Sequence, residues 1–460
     1  MIISIAALTL TACASLDDPV SHTPTVLTSN YATADVSGVT ATRIEVAELS
    51  RGASVALIQG DDGLSLPEAI SIALARHPAV TAASLEVQAR SADARQAGLL
   101  PNPELQTDVE NFGGSGPLSG FGSAETTLTI GQLIELGGKR SRRMKAASLE
   151  AQLAAWDLEA QRIAIYADIT KLYVAAVAAE RKVVVADELN TLAQKMLAAV
   201  DARVTAGRVS PIEKQRAEIV VGRASADRDA ALAERRAAFR ALATSLGAPP
   251  DEIYALSGRL NRVVSPPGYA ASRAFVLDSP AVARWTAEIE SRQATLDLER
   301  ANRFPDVTIG AGLREFRDTG DNAYVAVFSI PLPLFNRNQG AIAAAQSRLA
   351  RSRAEAENAR LGASIAFEQA YAQLSAAAAR AQALQNSLLP AAKTTFEATQ
   401  TGYREGKFNL VTLLDAQRTY FEIETETIDA VAIYYAARAD VEALIGRDLA
   451  AGGAASGEDK

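Results

Sequence analysis

The sequence predicts a mainly α-helical protein with membrane β-barrel strands, in which long α-helical hairpins form a tunnel and each chain contributes four β-strands. Aromatic residues make up only 5% of the chain, and long alanine-rich stretches without proline favour closely packed helices. The chain also repeats itself: His77-Pro78-Ala79-Val80 returns as Ser279-Pro280-Ala281-Val282, and Gly207 returns as Gly406, at offsets of 202 and 199 residues. A duplicated chain is expected to function through the shape that its two units form together.

The first 64 residues predict a leader and a tether. Residues 1–12 are apolar and end in Leu10-Thr11-Ala12-Cys13, which is typical of a lipoprotein signal peptide with Cys13 as the lipidated residue. The alternative is an ordinary secretory signal with a chance cysteine. No basic residues precede the apolar stretch, which leaves the true start of the signal peptide open. Residues 13–64 have no sustained hydrophobic period and predict an extended tether from the lipid anchor.

Two similar units follow, predicted over residues 65–248 and 276–449, with a linker at 249–275 and a disordered tail at 450–460. Ser65 and Pro67 fit the start of the first helix. His77 precedes a proline, as Ser279 does in the second unit, and this pattern predicts a helix cap rather than a metal ligand. The basic run at 139–143 is interpreted as a solvated helix start.

Each unit contains a predicted β-hairpin, at about 103–134 and about 306–334. In the first strand Glu104, Gln106, Asp108 and Glu110 alternate with less polar residues, so one face is acidic, and Glu104, Asp108 and Glu110 are candidate lumen-facing acids. After the leader no stretch reaches the roughly 18 apolar residues of a transmembrane helix, so a membrane span would have to use strands. Four strands cannot close, and a dimer of eight strands and a trimer of twelve both satisfy the geometry. The alternative is that the hairpins are water-soluble sheet segments.

The helices between the hairpins are unusually long. From Gly138 to about Val204 the chain has no proline, and about 60 helical residues would extend roughly 90 Å. The apolar stripe breaks at residues 206–211 and again at 405–410, and each break predicts the tip of a helical hairpin. The residues Gly207, Arg208, Gly406 and Lys407 lie at these tips.

The residue types exclude several functions. A net charge of -8 argues against a nucleic-acid partner. No glycine-rich phosphate loop and no Gly-x-Ser-x-Gly motif is present, which argues against an enzyme and predicts no cofactor. Two histidines, one cysteine and three methionines cannot supply a soft metal-ligand cluster, so no bound metal is predicted.

Several motifs identify a family. Residues 100–105 (Leu-Pro-Asn-Pro-Glu-Leu), 110–114 (Glu-Asn-Phe-Gly-Gly), 132–140 (Gln-Leu-Ile-Glu-Leu-Gly-Gly-Lys-Arg) and 330–340 resemble the TolC family of outer-membrane efflux ducts. They are most similar to its heavy-metal branch, the CzcC-like partners of cobalt, zinc and cadmium exporters. The resemblance extends from Leu64 to Leu449.

The resemblance implies a homotrimer in the outer-membrane lipid that completes a twelve-stranded barrel and continues as a helical tunnel through the periplasm. It implies two further partners, a periplasmic adaptor and an inner-membrane transporter of the resistance-nodulation-division class. The chain would conduct exported substrate passively, with divalent heavy-metal cations as the expected cargo. Drug efflux or type I secretion with the same fold is an alternative, as is a coiled-coil scaffold lipoprotein in the periplasm.

The resemblance implies that the inner end of the tunnel is closed by helix packing and by rings of acidic residues near the second hairpin tip. The corresponding pattern here keeps Asp415 but has Thr412 where a second acid is common, and Glu213 is the repeat equivalent of Thr412 in the first unit. These three residues are the candidate periplasmic gate, and a solvated helix-tip carboxylate is the alternative for Asp415. The tip residues Gly207, Arg208, Gly406 and Lys407 are candidates for contact with the adaptor.

Overall fold

The computed structural model of the chain describes residues 63–253, 255–260 and 263–449. Cys13, the predicted signal peptide, nearly all of the tether and the predicted tail lie outside these residues. Within the described ranges the elements follow in this order: α1 Leu66–Arg76, α2 Pro78–Ala97, β1 Glu104–Glu110, β2 Glu125–Ile134, α3 Lys139–Thr205, α4 Pro211–Ser245, α5 Tyr269–Ala274, α6 Pro280–Ala301, β3 Val307–Phe316, β4 Asn322–Ser329, α7 Gln339–Ala383, α8 Leu389–Arg404 and α9 Leu410–Ile445. A π-helical turn at Leu384–Leu388 joins α7 to α8.

The helix starts follow the local sequence. Ser65 and Glu68 form a reciprocal capping box at α1, in which each side chain bonds the other residue's backbone N–H. The Nδ1 atom of His77 accepts the N–H of Ala79 at 3.2 Å, which confirms the predicted capping role. Ser279 also precedes its helix, but its hydroxyl makes no capping bond there.

The duplication is visible in the backbone. Gly207 and Gly406 both adopt positive φ, at 66° and 79°, where a side chain would be strained. The N–H of Arg208 donates to the carbonyl of Arg203 at 2.9 Å, and the N–H of Lys407 donates to the carbonyl of Gly402 at 2.7 Å. These paired bonds end α3 and α8 with the same motif. The two predicted hairpin tips therefore have the same local geometry, 199 residues apart.

The longest helix, α3, organises the helical part of the molecule. Its 67 residues extend about 100 Å. It packs against α1, α2 and α6 and also against α4 and α9, while α7 packs against α6 and α9. Two cores fill the middle of this assembly, one around Ile169, Tyr173 and Leu242 and the other around Phe367 and Val431. Among the described residues, no helix has both the length and the apolar composition needed to cross a membrane.

The segment between the two units is anchored to the helices. It contains the short helix α5, which contacts α7. The hydroxyl of Tyr371 donates to the carbonyl of Pro267 at 2.6 Å, and Tyr269 bonds Glu368. The Tyr173 hydroxyl likewise bonds the backbone of Leu64 and Gly258. These bonds hold the connection against α3 and α7.

The four strands form one antiparallel sheet in the order β1-β2-β3-β4. Leu105 lies opposite Ile130, Ile130 opposite Ala311, and Ala311 opposite Ala326, so one face of the sheet is apolar across all four strands. That face is bare in the single chain: the relative exposures of Leu105 and Tyr324 are 70% and 93%. β4 ends at Ser329, earlier than predicted, because the following Pro331 and Pro333 cannot donate to a ladder.

The junction between β2 and α3 corrects one expectation. The basic run at 139–143 is not a simple solvated helix start. Lys139 is only 9% exposed and bonds Asp306 at 2.7 Å. Arg143 pairs with Glu135 at 2.5 Å and its Nε donates to the carbonyl of Ala97. The run therefore fastens the start of α3 to the end of α2 and to the start of β3.

The equivalent junction before α7 has a similar design. Asn338 adopts positive φ, at 59°, and occupies the position that Gly138, at 68°, has before α3. Its side-chain amide donates to the backbone carbonyl of Glu299 at 2.8 Å and to the Glu299 carboxylate at 2.6 Å. Both strand-to-helix junctions are thus tied to the C-terminal end of the preceding helix, which fixes the sheet relative to the long helices.

Candidate functional site

The polar face of the sheet carries the three predicted lumen acids. Glu104, Asp108 and Glu110 share this face of β1, which is the face opposite Leu105. The side-chain amide of Gln106 donates to both oxygens of Asp108, at 3.0 and 3.1 Å. The period of two in β1 was therefore sufficient to place these residues together.

One basic residue on the same face was not predicted from the sequence. Arg314 of β3 lies opposite Thr127 of β2 and donates to its hydroxyl at 2.8 Å. Its guanidinium also reaches Glu125 at 3.1 Å and Glu110 at 3.4 Å. The face is therefore not uniformly acidic, since Glu110 has a counter-charge. The alternation of side chains along β3 could have identified it, because it places Arg314 on the face of the sheet opposite Leu313.

The two hairpin tips lie side by side at the other end of the helices. A hydrophobic cluster joins Val200 and Ala217 of the first hairpin to Phe396 and Leu413 of the second. The guanidinium of Arg203 lies 5.0 Å from the ring centroid of Tyr403, which adds a cation–π contact between the hairpins. One compact end of the helical bundle therefore presents both tips.

The tip residues predicted to contact an adaptor are all exposed. These are Gly207, Arg208, Gly406 and Lys407. Lys407 forms an ion pair with Glu405 at 2.7 Å. The geometry leaves the two tips available to another protein chain at this end.

The three predicted gate residues have different environments. Asp415 is exposed on α9 and pairs with Arg418 at 3.0 Å. Thr412 forms part of the α9 cap, since both its N–H and its hydroxyl donate to the side-chain oxygen of Asn409, at 2.9 and 3.0 Å. Glu213 lies in the first turn of α4, partly exposed. Arg418 partly compensates the charge of Asp415, a contact that was not predicted from the sequence.

Asp415 also lines a groove. The groove runs between α4 and α9 over α3 and has a volume of about 880 Å³. In the part of this groove farther from the hairpin tips, Lys182 of α3 pairs with Glu234 of α4 at 3.1 Å and with Asp429 of α9 at 2.8 Å. Burial opposes the charge of Lys182, but the two carboxylates outweigh it and raise its pKa. Lys182 thereby ties three helices together.

A partly buried polar contact crosses the interface between α3 and α9. Glu424 is buried and pairs with Arg181 at 3.1 Å. Burial, together with the nearby Glu424 carboxylate, raises the pKa of Tyr420 to about 12. The hydroxyl therefore stays neutral over the physiological range. Sequence periodicity could not identify this contact, because its partners are 243 residues apart.

Comparison with known proteins places this architecture in a family. The model of the outer membrane efflux protein family matches residues 69–248 and 275–447. The cobalt-zinc-cadmium resistance protein CzcC of Cupriavidus metallidurans is 32% identical over 386 residues, which cover 84% of this chain and 90% of that protein. The nickel and cobalt resistance protein CnrC of the same organism is 30% identical, over 70% of this chain and 76% of its own.

The fold is also similar to that of solved outer-membrane channels. CusC, whose crystal structures concern folding and transmembrane channel formation, superposes with a TM-score of 0.69 at 19% identity, covering 83% of this chain and 92% of that chain. The resemblance read from the motifs is therefore confirmed in sequence and in fold. The chain belongs to the outer membrane efflux protein family.

Proposed function

We propose that three copies of this chain form a lipid-anchored duct in the outer membrane that conducts exported divalent metal cations passively out of the periplasm. The observation that carries the proposal is the sheet. Its apolar face is exposed across all four strands, its other face is polar, and in the described residues its strands continue into the helical bundle, whose longest helix, α3, extends about 100 Å. A sheet of this kind suits lipid on one side and water on the other.

The open edges of the sheet argue for several copies. β1 and β4 each have one edge without a strand partner among the described residues. Unpaired backbone groups are costly in hydrocarbon. Because neighbouring strands alternate in direction, β4 of one chain runs antiparallel to β1 of the next, and the two can pair. Three chains would complete a barrel of twelve strands.

The helices would form the periplasmic part of the duct and meet its partner proteins. The long helices would continue the barrel as a tunnel into the periplasm, and the exposed tips at their far end would meet a periplasmic adaptor joined to an inner-membrane transporter of the resistance-nodulation-division class. Gly207, Arg208, Gly406 and Lys407 are the proposed contacts. Cys13 would carry the lipid that fixes the chain to the membrane. The proton gradient would act on the transporter, and this chain would supply the exit.

The cargo is proposed from the relatives and from the charge of the polar face. CzcC and CnrC are named for resistance to cobalt, zinc, cadmium and nickel. The polar face of the described sheet holds four carboxylates, on Glu104, Asp108, Glu110 and Glu125, against the single guanidinium of Arg314. A net negative lumen favours cations over anions.

Metal tolerance of a deletion strain tests the proposal. We expect the strain to grow at lower concentrations of some of zinc, cobalt, cadmium, nickel and copper than the parent, and the intact gene to restore growth. Dyes and antibiotics serve as the control panel. Sensitivity confined to these organic compounds would contradict the metal cargo, and unchanged tolerance to every compound would contradict a role in export.

The proposed gate has its own prediction. With Asp415 replaced by asparagine, Arg418 loses the nearer of its two acidic partners, keeping Glu422 at 3.8 Å, and the fixed charge at the tip becomes more positive. We expect the ratio of potassium to chloride permeability in planar bilayers to fall roughly twofold. Glu357→Gln, which removes an exposed carboxylate from α7, is the control and should leave the ratio unchanged. An unaltered ratio in Asp415→Asn channels would remove Asp415 from the gate.

A further inference from the structure

Two carboxylates face each other at the end of the sheet farthest from the helices. Glu110 is the last residue of β1 and Glu125 the first of β2, and they are direct cross-strand partners. Like charges at such positions destabilise a sheet. The side chain of Asn111 donates to Oε1 of Glu125 at 2.8 Å, but one neutral donor does not cancel the repulsion between two carboxylates.

The other acids on this face have no such partner. Glu104 lies opposite Gly131 and Asp108 lies opposite Thr127. Within the described sheet, Glu110 and Glu125 are thus the one pair of carboxylates in register. Two converging carboxylates are the oxygen ligands that divalent cations bind. Without a counter-charge, this pair would present two such ligands at one place in the lumen face.

The guanidinium of Arg314 lies between them. Its Nη1 atom is 3.1 Å from Glu125 and its Nη2 atom is 3.4 Å from Glu110, while Nε donates to Thr127. An arginine is positively charged at every physiological pH, so this counter-charge is permanent. The side chain reaches across two strands to the carboxylates, from a position two residues before the end of β3.

We propose that Arg314 is a tethered counter-cation that occupies the place a divalent metal ion would take between Glu110 and Glu125. It keeps the outer end of the duct from retaining the ions that pass through it. The remaining acids, Glu104 and Asp108, keep the lumen attractive to cations without forming a paired site. This role rests on the proposed function, because it assumes that the polar face lines the path of exported cations.

Zinc block of single channels tests the proposal. Channels of the wild type and of Arg314→Gln are formed in planar bilayers with potassium chloride, and zinc chloride is added on the side of the β-hairpin turns. We expect zinc to block Arg314→Gln channels at a concentration at least roughly tenfold lower than wild-type channels, because zinc no longer has to displace a positively charged guanidinium from the two carboxylates. Arg314→Met, which removes the charge and leaves no polar group at the end of the side chain, should behave in the same way.

Two controls isolate the carboxylate pair. Arg314→Gln combined with Glu125→Gln removes the pair, and its zinc sensitivity should return to that of the wild type. Arg314→Lys keeps a positive charge and should resist block. Equal zinc sensitivity in wild-type, Arg314→Gln and Arg314→Met channels would overturn the proposal while leaving the duct intact. Wild-type protein that forms no channels would instead overturn the proposed function.

Discussion

Replacing Gly312 with alanine is expected to abolish assembly of the sheet. A Cβ atom at this position would lie 2.1 Å from the carbonyl oxygen of Leu128 and 2.8 Å from the Cα of Thr129. Both are backbone atoms of β2, which pairs with β3 along ten consecutive residues. A rotamer change cannot relieve the clash, so the ladder must separate. We expect a cost of about 3 kcal/mol or more.

Gly131→Ala is the matched control for this prediction. It lies in the same sheet, but its Cβ would meet only a methyl group of Thr308, at an ordinary contact distance of 3.6 Å. Outer-membrane fractions are assayed for the amount of assembled oligomer by native mass spectrometry. We expect little or none for Gly312→Ala and a normal amount for Gly131→Ala. Equal yields from the two variants would contradict the close approach of β2 and β3.

Replacing Arg438 with methionine is expected to destabilise the helical bundle by about 3–5 kcal/mol. Its guanidinium bonds Glu442 at 2.7 Å and Asp448 at 2.8 Å. Glu442 is only 3% exposed and also accepts the hydroxyl of Tyr166 and the N–H of Leu449. Without the arginine, a carboxylate would remain buried among neutral donors. The cluster also holds residues 446–449 against α9.

The stability lost in the Arg438→Met variant should depend on pH. Burial raises the pKa of Glu442 above its ordinary value, and Arg438 opposes that rise. In the variant only hydrogen bonds from neutral groups, such as the N–H of Leu449, still oppose it, so the pKa in the folded state moves further up. A carboxyl group with a raised folded pKa contributes stability that is complete below its unfolded pKa and is lost as pH rises through the folded value. The stability of the Arg438→Met variant should therefore fall further below that of the wild type at pH 8 than at pH 5.

Thermal unfolding of the purified protein at the two pH values measures this effect. The double variant Arg438→Met and Glu442→Leu removes both charges, and most of the lost stability should return. A single variant whose melting temperature matches the wild type at pH 8 would show that the pair contributes no net stability. A deficit that is larger at pH 5 would contradict the assigned burial of Glu442.

The features that the sequence predicted are local ones. The hairpin tips at Gly207 and Gly406 follow from glycine and its neighbours, and the faces of β1 follow from alternation alone. Each of these signals lies within about ten residues of chain. The family motifs extended the prediction to the whole fold, because a resemblance to known proteins implies a topology that local patterns cannot indicate.

The features that were missed depend on partners far apart in the chain. Lys139 looked like part of a solvated basic run because Asp306 lies 167 positions away. Arg314 was passed over because its relation to Glu110 exists only once β1, β2 and β3 are aligned. Arg438 and Glu442 have the spacing of an ordinary surface pair on one helix, and only the packing of α3 against α9 makes the pair buried.

The number of chains in the native complex tests the proposed duct most directly. The full-length protein is extracted from outer membranes in mild detergent, and its mass is determined by native mass spectrometry. A complex of three chains is predicted: pairing of the open edges requires several copies, and the resemblance to the efflux ducts implies that three four-stranded sheets form a twelve-stranded barrel. A complex of two chains would contradict that barrel. A protein recovered only as single chains would contradict the duct.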